Sequence, residues 1–362
     1  DNTKITSPFH LISPQISNGE TINLYNNDSL VIKMELPFNG TTITKTTTFY
    51  ANSFLILHEY DVKNHSAPLL VTWEDGIKTT EKNLYEELTY SSAYVGQQKK
   101  IDNITLSPSE LTDVVALESF LGKTDWVAVR NKYFINSLVS ENSIGGHLSG
   151  RSLFLNNTSL VPAYSLSLEF RDFPVTVSQF FGPLDVDIIE SSGTYLDRVM
   201  NFGWLPIQPF SRSVLWILKK LHLFGLNYGI ILIVFAFLIR VVTGPLTKKS
   251  YRSTLKMQTI QPQMKKIQEK YKNDSQRLNK EMMNLYKSSG VNPLGGCLPM
   301  LIQMPLLFSL FIVFRSTIEF RGAPFFGWIN NLSQPDTIFY LPFNVPIYGD
   351  QVAFLPIVLG IS

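Results

Sequence analysis

One arginine stands alone inside a long apolar stretch. Arg240 is the only charged residue between Asn227 and Lys248 in the sequence NYGIILIVFAFLIRVVTGPLTK. A charge within a membrane span costs roughly 2.5–3.5 kcal/mol on insertion scales, and such residues usually serve a function. Along a helix Arg240 would lie about 12 Å from Lys248, so its long side chain could simply reach the membrane surface. The alternative is a guanidinium that faces a water-filled cavity, and this residue alone does not decide between the two.

Patterns typical of enzymes and metal sites are absent from the sequence. It contains no metal-ligand spacing, no Gly-x-Ser-x-Gly turn and no Gly-rich phosphate loop. We therefore predict a protein that is not an enzyme, binds no metal or cofactor and has no small-molecule substrate. The scattered residues that suit a solvated surface better than a site are His10, His58, His65, His147, Glu74, Asp75, Glu86 and Glu87.

The basic residues are concentrated in one segment. The whole chain has a net charge of +2, yet residues 248–287 hold eleven Lys and Arg against three Asp and Glu. Loops rich in Lys and Arg stay on the cytoplasmic side of a membrane, which places the N-terminal part of the chain outside. Anionic lipid headgroups and ribosomal RNA are surfaces that such a segment would bind. Structural roles in this region are assigned to Pro245, Lys248, Lys249, Pro262, Lys265 and Lys266.

Residues 1–190 are predicted to form an all-β domain outside the membrane. Apolar and polar residues alternate in residues 30–36, and β-branched residues dominate residues 41–50. Many short strands with turn signals between them favour a sandwich or a barrel-like domain. One helix is predicted at residues 107–121, where Ser107 would act as its N-cap.

Residues 191–222 are predicted to be a connector that ends in an amphipathic helix. Its apolar residues recur at helical spacing, and Lys and Arg lie off this stripe. Such a helix suits the membrane interface, but it also suits packing on the N-terminal domain. The stripe consists of Val214, Ile217, Leu218 and Leu221.

Two apolar segments are predicted to cross the membrane, at residues 223–247 and 294–316, because about 20 residues span the hydrocarbon core. The second segment favours a helix that lines a cavity or packs closely on a neighbour, since it contains helix-breaking and polar residues. Residues 317–350 would then form an outside loop, and residues 351–362 would begin a further membrane helix. The helix-breaking and polar residues of the second segment are Gly295, Gly296, Pro299, Gln303 and Pro305.

Residues 248–290 are predicted to form a basic helical hairpin in the cytoplasm. Residues 273–275 supply a turn with a capping residue, and Pro262 would kink or start the first helix. Each arm carries an apolar stripe at helical spacing, through which two antiparallel helices would pack. The stripes are Ile260, Met264, Ile267 and Tyr271 in the first arm and Leu278, Met282 and Leu285 in the second.

The sequence resembles the YidC/Oxa/Alb family of membrane protein insertases over residues 181–346. The most specific part of the resemblance is the run EMMNLYKSSGVNPLGGCLPMLIQMP at residues 281–305. Residues 125–134, DWVAVRNKYF, are more weakly similar to the periplasmic domain of the Gram-negative YidC branch. The resemblance therefore implies two parts: a periplasmic β-supersandwich-like domain and an α-helical membrane insertase core with a cytoplasmic helical hairpin. Further matching segments are LIRVVTGPLTKKSY (238–251), QPQMKKIQEKYKND (261–274) and EFRGAPFFGWI (319–329).

The resemblance also implies a substrate site. Members of the family have a hydrophilic groove that is open to the cytoplasm and to lipid and closed on the outside. Arg240 matches the arginine that makes this groove positive. Ala236 stands where some relatives have threonine, so one hydroxyl of the groove would be missing. The expected groove residues are Arg240, Pro299, Gln303, Met304 and Pro305.

The function and setting implied by the resemblance are those of a multi-pass protein of the bacterial inner membrane with a periplasmic N-terminal domain. Such a protein inserts and folds other membrane proteins without chemical catalysis. The expected partners are nascent membrane-protein substrates, membrane lipids, the ribosome and the Sec translocon. By the same resemblance a first anchor would precede Asp1, and further core helices would follow Ser362.

Two other functions remain open from the residues alone. The chain could be a membrane-anchored periplasmic binding protein in which the β domain is the active part and Arg240 is dispensable. It could also be a transporter subunit in which Arg240 binds an anion. The groove interpretation differs from both, because it requires Arg240 and predicts no saturable flux of a solute.

Overall fold

The computed structural model describes most of the chain in two compact units. The first unit is Asp1–Met200 and the second is Asn201–Ser362. The described residues are 9–14, 21–38, 40–63, 67–81, 83–98, 100–107, 116–155, 159–192, 196–291, 298–345 and 349–361.

The first unit is built almost entirely of β-strands. Every pairing between these strands is antiparallel within the described residues. In chain order the strands are β1 (His10–Ser13), β2 (Ser29–Phe38), β3 (Thr41–Tyr50), β4 (Leu55–Val62), β5 (Leu69–Trp73), β6 (Ser92–Gln97), β7 (Lys100–Ile104), β8 (Ala116–Leu121), β9 (Trp126–Arg130), β10 (Phe134–Val139), β11 (Gly145–Leu155), β12 (Ser159–Phe170) and β13 (Val175–Pro183).

These strands form two open sheets. The larger sheet has the order β1-β2-β3-β4-β13-β10-β9-β6-β7, and the smaller has the order β5-β12-β11-β8. Neither sheet closes on itself, so of the two predicted architectures the sandwich is confirmed and the barrel is wrong. The pairing of β4 with β13 joins segments that are far apart in sequence, which local patterns cannot predict.

The apolar core of the first unit lies between the two sheets. Side chains alternate between the faces of a strand, and one face of each sheet is apolar. Val127 and Val177 of the larger sheet pack in one cluster with Leu148, Leu166 and Leu168 of the smaller sheet, and all five are fully buried. Face-to-face packing of this kind is the usual arrangement of a β-sandwich.

The opposite face of the larger sheet is covered by a second apolar cluster. Trp126 and Phe180 of that sheet pack with Ile189, which belongs to α2 (Val186–Ser191). A shorter helix, α1 (Leu84–Leu88), precedes β6. The larger sheet is therefore apolar on both faces over its central strands.

The predicted helix at residues 107–121 is wrong over its second half. Residues 116–121 form β8, and residues 108–115 lie outside the described part of the chain. β8 pairs antiparallel with β11 along its whole length. Hydrogen bonds to a neighbouring strand outweigh the local helical pattern here, because tertiary context overrides weak propensity.

The second unit consists mainly of helices. α6 packs against α3 and α4, and α5 packs against α4. Two strands form a separate antiparallel ribbon. The elements are α3 (Gln208–His222), α4 (Tyr228–Lys270), α5 (Ser275–Ser288), α6 (Leu298–Ser316), β14 (Thr337–Val345), β15 (Gly349–Ala353) and α7 (Phe354–Ile361).

The longest helix, α4, has 43 residues and would be about 65 Å long. The Asn227 side chain caps its start by accepting a hydrogen bond from the Ile230 N–H at 2.9 Å. The predicted span at 223–247 and the first arm of the hairpin are thus parts of one helix. Pro262 lies inside it and does not start a new helix.

The two arms of the predicted hairpin pack as expected. Ile260 of α4 is buried, and the other residues of both apolar stripes are partly buried. Asp274 caps α5, since its Oδ1 accepts a hydrogen bond from the Arg277 N–H at 3.0 Å. The turn and cap predicted at residues 273–275 are confirmed.

The amphipathic helix α3 presents a slightly different face from the predicted one. Val214 and Leu218 are buried as expected, but Ser211 and Leu215 are buried with them. This face packs on α6 and α4, and it is rotated from the predicted stripe toward Ser211 and Leu215.

The segments after α5 differ from their predicted bounds. α6 begins at Leu298, and residues 292–297 lie outside the described part. Residues 351–353 belong to β15, so the helix predicted to begin at residue 351 begins at Phe354. Of the described helices, α4 is the one that is long and apolar enough to cross a membrane, and Gln303–Ser316 forms a shorter apolar helix.

Candidate functional site

A cavity of about 450 Å³ lies between α4 and α6. Four residues of each helix line it, at spacings of three, four and seven along the chain. Residues at this spacing share one face of a helix, so two facing helices are sufficient to build the site. The lining residues are Thr247, Ser250, Tyr251 and Thr254 of α4 and Met300, Gln303, Met304 and Leu307 of α6.

Two hydroxyl groups on the α4 wall of the cavity donate their protons to backbone carbonyls of the same helix. Thr247 Oγ1 donates to the Thr243 carbonyl at 3.0 Å, and Thr254 Oγ1 donates to the Ser250 carbonyl at 3.2 Å. A hydroxyl that donates its only proton retains two lone pairs as acceptors. This wall therefore offers hydrogen-bond acceptors to water or to a polar ligand.

The α6 wall combines one amide with flexible apolar side chains. Gln303 is exposed and supplies both donors and acceptors. Met300 and Met304 are 66% and 36% exposed, and methionine adapts readily to partners of different shape. The cavity thus has a polar wall and an adaptable apolar wall.

Arg240 does not line the cavity, but it lies on the same face of α4. Seven residues turn a helix by about 700°, which returns to within about 20° of the starting direction. Arg240, Thr247 and Thr254 are spaced by seven and so form one line along the helix. Arg240 is exposed and lies about 10 Å from Thr247 along the axis.

Prolines interrupt both helices near the cavity. Pro245 lies inside α4 and Pro305 inside α6. A proline has no N–H, so the carbonyl four residues before it loses its helical hydrogen bond. These carbonyls belong to Val241 and Leu301, neither of which is among the residues that line the cavity.

The other predicted positions do not belong to the described lining of the cavity. Pro299 is in the first turn of α6, where proline is tolerated. Ala236 is exposed on α4, one turn before Arg240. The basic residues Lys248, Lys249, Lys265 and Lys266 are all exposed on α4 and do not line the cavity.

Sequence reasoning singled out Gln303 and Met304, which the structure brings into the cavity, and missed the α4 wall. The signal for that wall was present as Thr or Ser at positions 243, 247, 250 and 254. Hydroxyl residues at helical spacing are common on solvated helices, so this pattern indicates a site only when a second helix faces it. Within the described residues no group of three or more His, Cys, Asp or Glu could hold a metal ion.

Comparison with known families agrees with the two units. Residues 15–217 match the family model described as YidC periplasmic domain, and residues 219–362 match that described as 60Kd inner membrane protein. The second match and the apolar length of α4 identify the C-terminal unit as part of a membrane protein.

Several curated proteins named membrane protein insertase YidC are similar to the chain. The protein from Chloroherpeton thalassium is 37% identical over 351 residues, which cover 91% of this chain and 59% of the relative. That from Prosthecochloris aestuarii is 37% identical over 340 residues, covering 88% and 56%. That from Chlorobaculum parvum is 38% identical over 335 residues, covering 88% and 55%.

The chain spans less than two thirds of the length of each of these relatives. The similarity nevertheless extends through both units, since the two family models together run from residue 15 to residue 362. The chain belongs to the YidC/Oxa/Alb membrane protein insertase family, in the branch that carries a YidC periplasmic domain.

Proposed function

We propose that this protein inserts and helps to fold other proteins in the bacterial inner membrane. The observation that carries the proposal is the cavity between α4 and α6, together with Arg240 on the same face of α4. The names of the similar relatives support it. The function involves no bond chemistry, because partition of an apolar segment into lipid supplies the driving force.

The mechanism begins with an electrostatic attraction. A guanidinium in a partly hydrated, low-dielectric groove attracts an acidic or polar segment of a substrate more strongly than it would in water. The acceptors of Thr247 and Thr254 and the amide of Gln303 provide partners for that segment and for the water around it. The polar segment therefore crosses a shorter distance of hydrocarbon.

The apolar helix of the substrate would leave along α6. Met304 and Leu307 line the cavity, and Leu307 is 60% exposed. Pro305 interrupts α6 at this point, which lowers the cost of a local change in the helix. An apolar substrate helix can then pass from the cavity into lipid while it remains in contact with apolar side chains.

The orientation and the partners belong to the same proposal. The exposed lysines that follow the apolar part of α4 support a cytoplasmic location for this end of the helix, and the β-sandwich then lies in the periplasm. A protein of this kind crosses the membrane several times. Nascent membrane proteins are the substrates, and anionic lipids, the ribosome and the Sec translocon are partners of the basic hairpin and the membrane core.

The test compares Arg240→Ala with Arg240→Lys in the full-length protein. A single-span substrate with an acidic external tail should be inserted about tenfold more slowly by Arg240→Ala, because one charge attraction in such a site contributes about 1–2 kcal/mol. Arg240→Lys should retain most activity, since charge and not bidentate geometry is required. Protease protection of the translocated tail measures insertion.

Three results would contradict the proposal. Normal insertion by Arg240→Ala removes the electrostatic role for this substrate. Loss of function on deletion of residues 1–180, with Arg240 dispensable, indicates a periplasmic binding protein. Saturable flux of a solute that depends on Arg240 indicates a transporter subunit.

A further inference from the structure

A largely buried ion pair joins α3 to the turn that follows α6. Lys219 Nζ lies 3.2 Å from Glu319 Oε1, and the two side chains are 19% and 7% exposed. Lys219 lies in the last turn of α3, and Glu319 lies in the 3₁₀ turn Ile318–Phe320. Burial of two charges carries a large penalty that their attraction offsets only with good geometry. Such a pair adds little net stability, whereas removal of one of its partners is strongly destabilising.

The ion pair lies beside an aromatic cluster in which three helices meet. Phe320 packs edge-on against Phe314 of α6 at 5.3 Å and against Tyr228 of α4 at 5.6 Å. Tyr228 stacks on His222 of α3 at 4.3 Å. The end of α3, the start of α4 and the end of α6 are thus held together at one place.

This end of the α4–α6 pair is tightly packed. Ile231 and Phe235 of α4 are 0% and 3% exposed. Gly229 lies so close to the Phe325 ring that a Cβ atom at this position would clash with it. The cavity at Thr247 and Gln303 lies toward the other end of both helices. The pair of helices is therefore open at one end and closed at the other.

We propose that the Lys219–Glu319 ion pair holds α3 across the end of α6 and so closes this end of the membrane core to water. The inference rests on the proposed function, in which the cavity end faces the cytoplasm and this end faces outward. Loss of either charge removes this ion pair, and removal of one partner of a largely buried pair is strongly destabilising. Separation of α3 from α6 would admit water to the remaining charge.

The test uses a cysteine reporter in the full-length protein. Cys297→Ser removes the native thiol, and Ile231→Cys places a new one at a buried position near the closed end. A membrane-impermeant maleimide is added from the side of the N-terminal unit. Lys219→Met and Glu319→Gln should each raise the labelling rate about tenfold or more, because local opening controls access to a buried thiol. The charge swap Lys219→Glu/Glu319→Lys should return the rate to the level of the parent.

Lys220 supplies the matched control. It is adjacent to Lys219 but exposed, with its Nζ 6.0 Å from the Trp216 ring, so Lys220→Met should leave Ile231→Cys protected. Continued protection in both single variants overturns the proposal, as does a swap that is labelled as fast as the singles. If the single variants do not accumulate in the membrane, the charge swap provides the test. A swap variant that accumulates with Ile231→Cys protected supports the proposal. A swap variant that does not accumulate overturns it.

The labelling result is independent of substrate insertion. Arg240→Ala in the same background should slow insertion and leave Ile231→Cys protected. Normal insertion by that variant contradicts the groove function, while the response of the reporter to Lys219 and Glu319 still tests the closure.

Discussion

Arg240 and Thr247 lie in one line on α4, seven residues and about 10 Å apart along the helix axis. Thr247 lines the cavity and Arg240 lies two turns farther toward the closed end. Under the proposed function, a substrate segment that enters the cavity meets acceptors first and the positive charge afterwards. The order of these groups, and not the charge alone, distinguishes the site from an isolated arginine at a membrane surface.

Moving the positive charge from position 240 to another position on the same face of α4 should restore part of the insertion activity. The double variant Arg240→Ala/Thr247→Arg should recover at least about a third of the insertion lost in Arg240→Ala, because position 247 faces the same direction. Arg240→Ala/Val242→Arg is the control, since position 242 is rotated by about 200° from position 240. Protease protection of an acidic-tailed substrate measures both. Equal recovery by the two variants would contradict the facial arrangement.

Removal of the hydroxyl groups should impair polar substrates selectively. Thr247→Val/Thr254→Val keeps the shape of both side chains and should slow insertion of substrates with polar external segments about fivefold or more, given about 0.5–1.5 kcal/mol for each of the two hydrogen bonds. Substrates with short apolar tails should be unaffected. Thr259→Val is the control, because its hydroxyl bonds to the Lys256 carbonyl away from the cavity. An equal loss for both substrate types argues against a role in hydration.

Two glycines of α4 should respond to alanine in opposite ways. Gly229→Ala should destabilise the second unit by about 1–3 kcal/mol, since the added methyl overlaps the Phe325 ring. Gly244→Ala should stabilise it by about 0.5–1 kcal/mol, because no atom lies within 4 Å of the new Cβ. Thermal unfolding of the full-length protein in detergent measures both. The packing described at the closed end is wrong if the two variants behave alike.

The β-sandwich should lose stability in weak acid through one histidine. Burial lowers the pKa of His58 below its ordinary value of 6.5, with nearby Lys45 acting in the same direction and the hydrogen bond to Gln179 opposing it. The unfolded chain then binds a proton at a higher pH than the folded domain does. Stability should therefore be complete above about pH 6.5 and decline as the pH falls toward the folded pKa.

The partners of His58 explain why protonation is unfavourable. Its Nε2 lies 2.9 Å from Gln179 Oε1 and its Nδ1 lies 3.0 Å from Thr47 Oγ1. The neutral ring donates through Nε2 and accepts through Nδ1, so a second proton would remove the acceptor. His58→Gln should flatten the pH dependence of unfolding of residues 1–200, followed by circular dichroism. His10 is exposed, so His10→Gln is the control that should leave the dependence unchanged.

The fold was predictable where a local pattern decides it. Alternation and β-branched residues predicted an all-β sandwich or barrel, and apolar length predicted α4 and α6. The continuity of α4 was not predictable, because the change from apolar to basic residues at Lys248 and the proline at 262 both suggest a boundary. Residues 116–121 were misassigned because their strand partner, β11, is separated from them in sequence.

The candidate site was predictable only in part. Arg240 and Gln303 are conspicuous as polar residues in apolar segments, and their predicted roles remain proposals. Thr247 and Thr254 can be recognised as site residues only when α6 is known to face them. The pair Lys219–Glu319 joins distant parts of the sequence, and a lysine in a basic helix end or a glutamate in a loop gives no local signal of burial.

α4 continues from the apolar segment into the basic hairpin as one helix. Arg240 and Lys270 both lie on this helix, with about 45 Å between them along its axis. A tilt of about 10° at the level of Arg240 would move the far end by about 8 Å over that length. Pro245 and Pro262 lie between these two residues, so a bend of the helix between the basic hairpin and Arg240 is expected at one of these prolines.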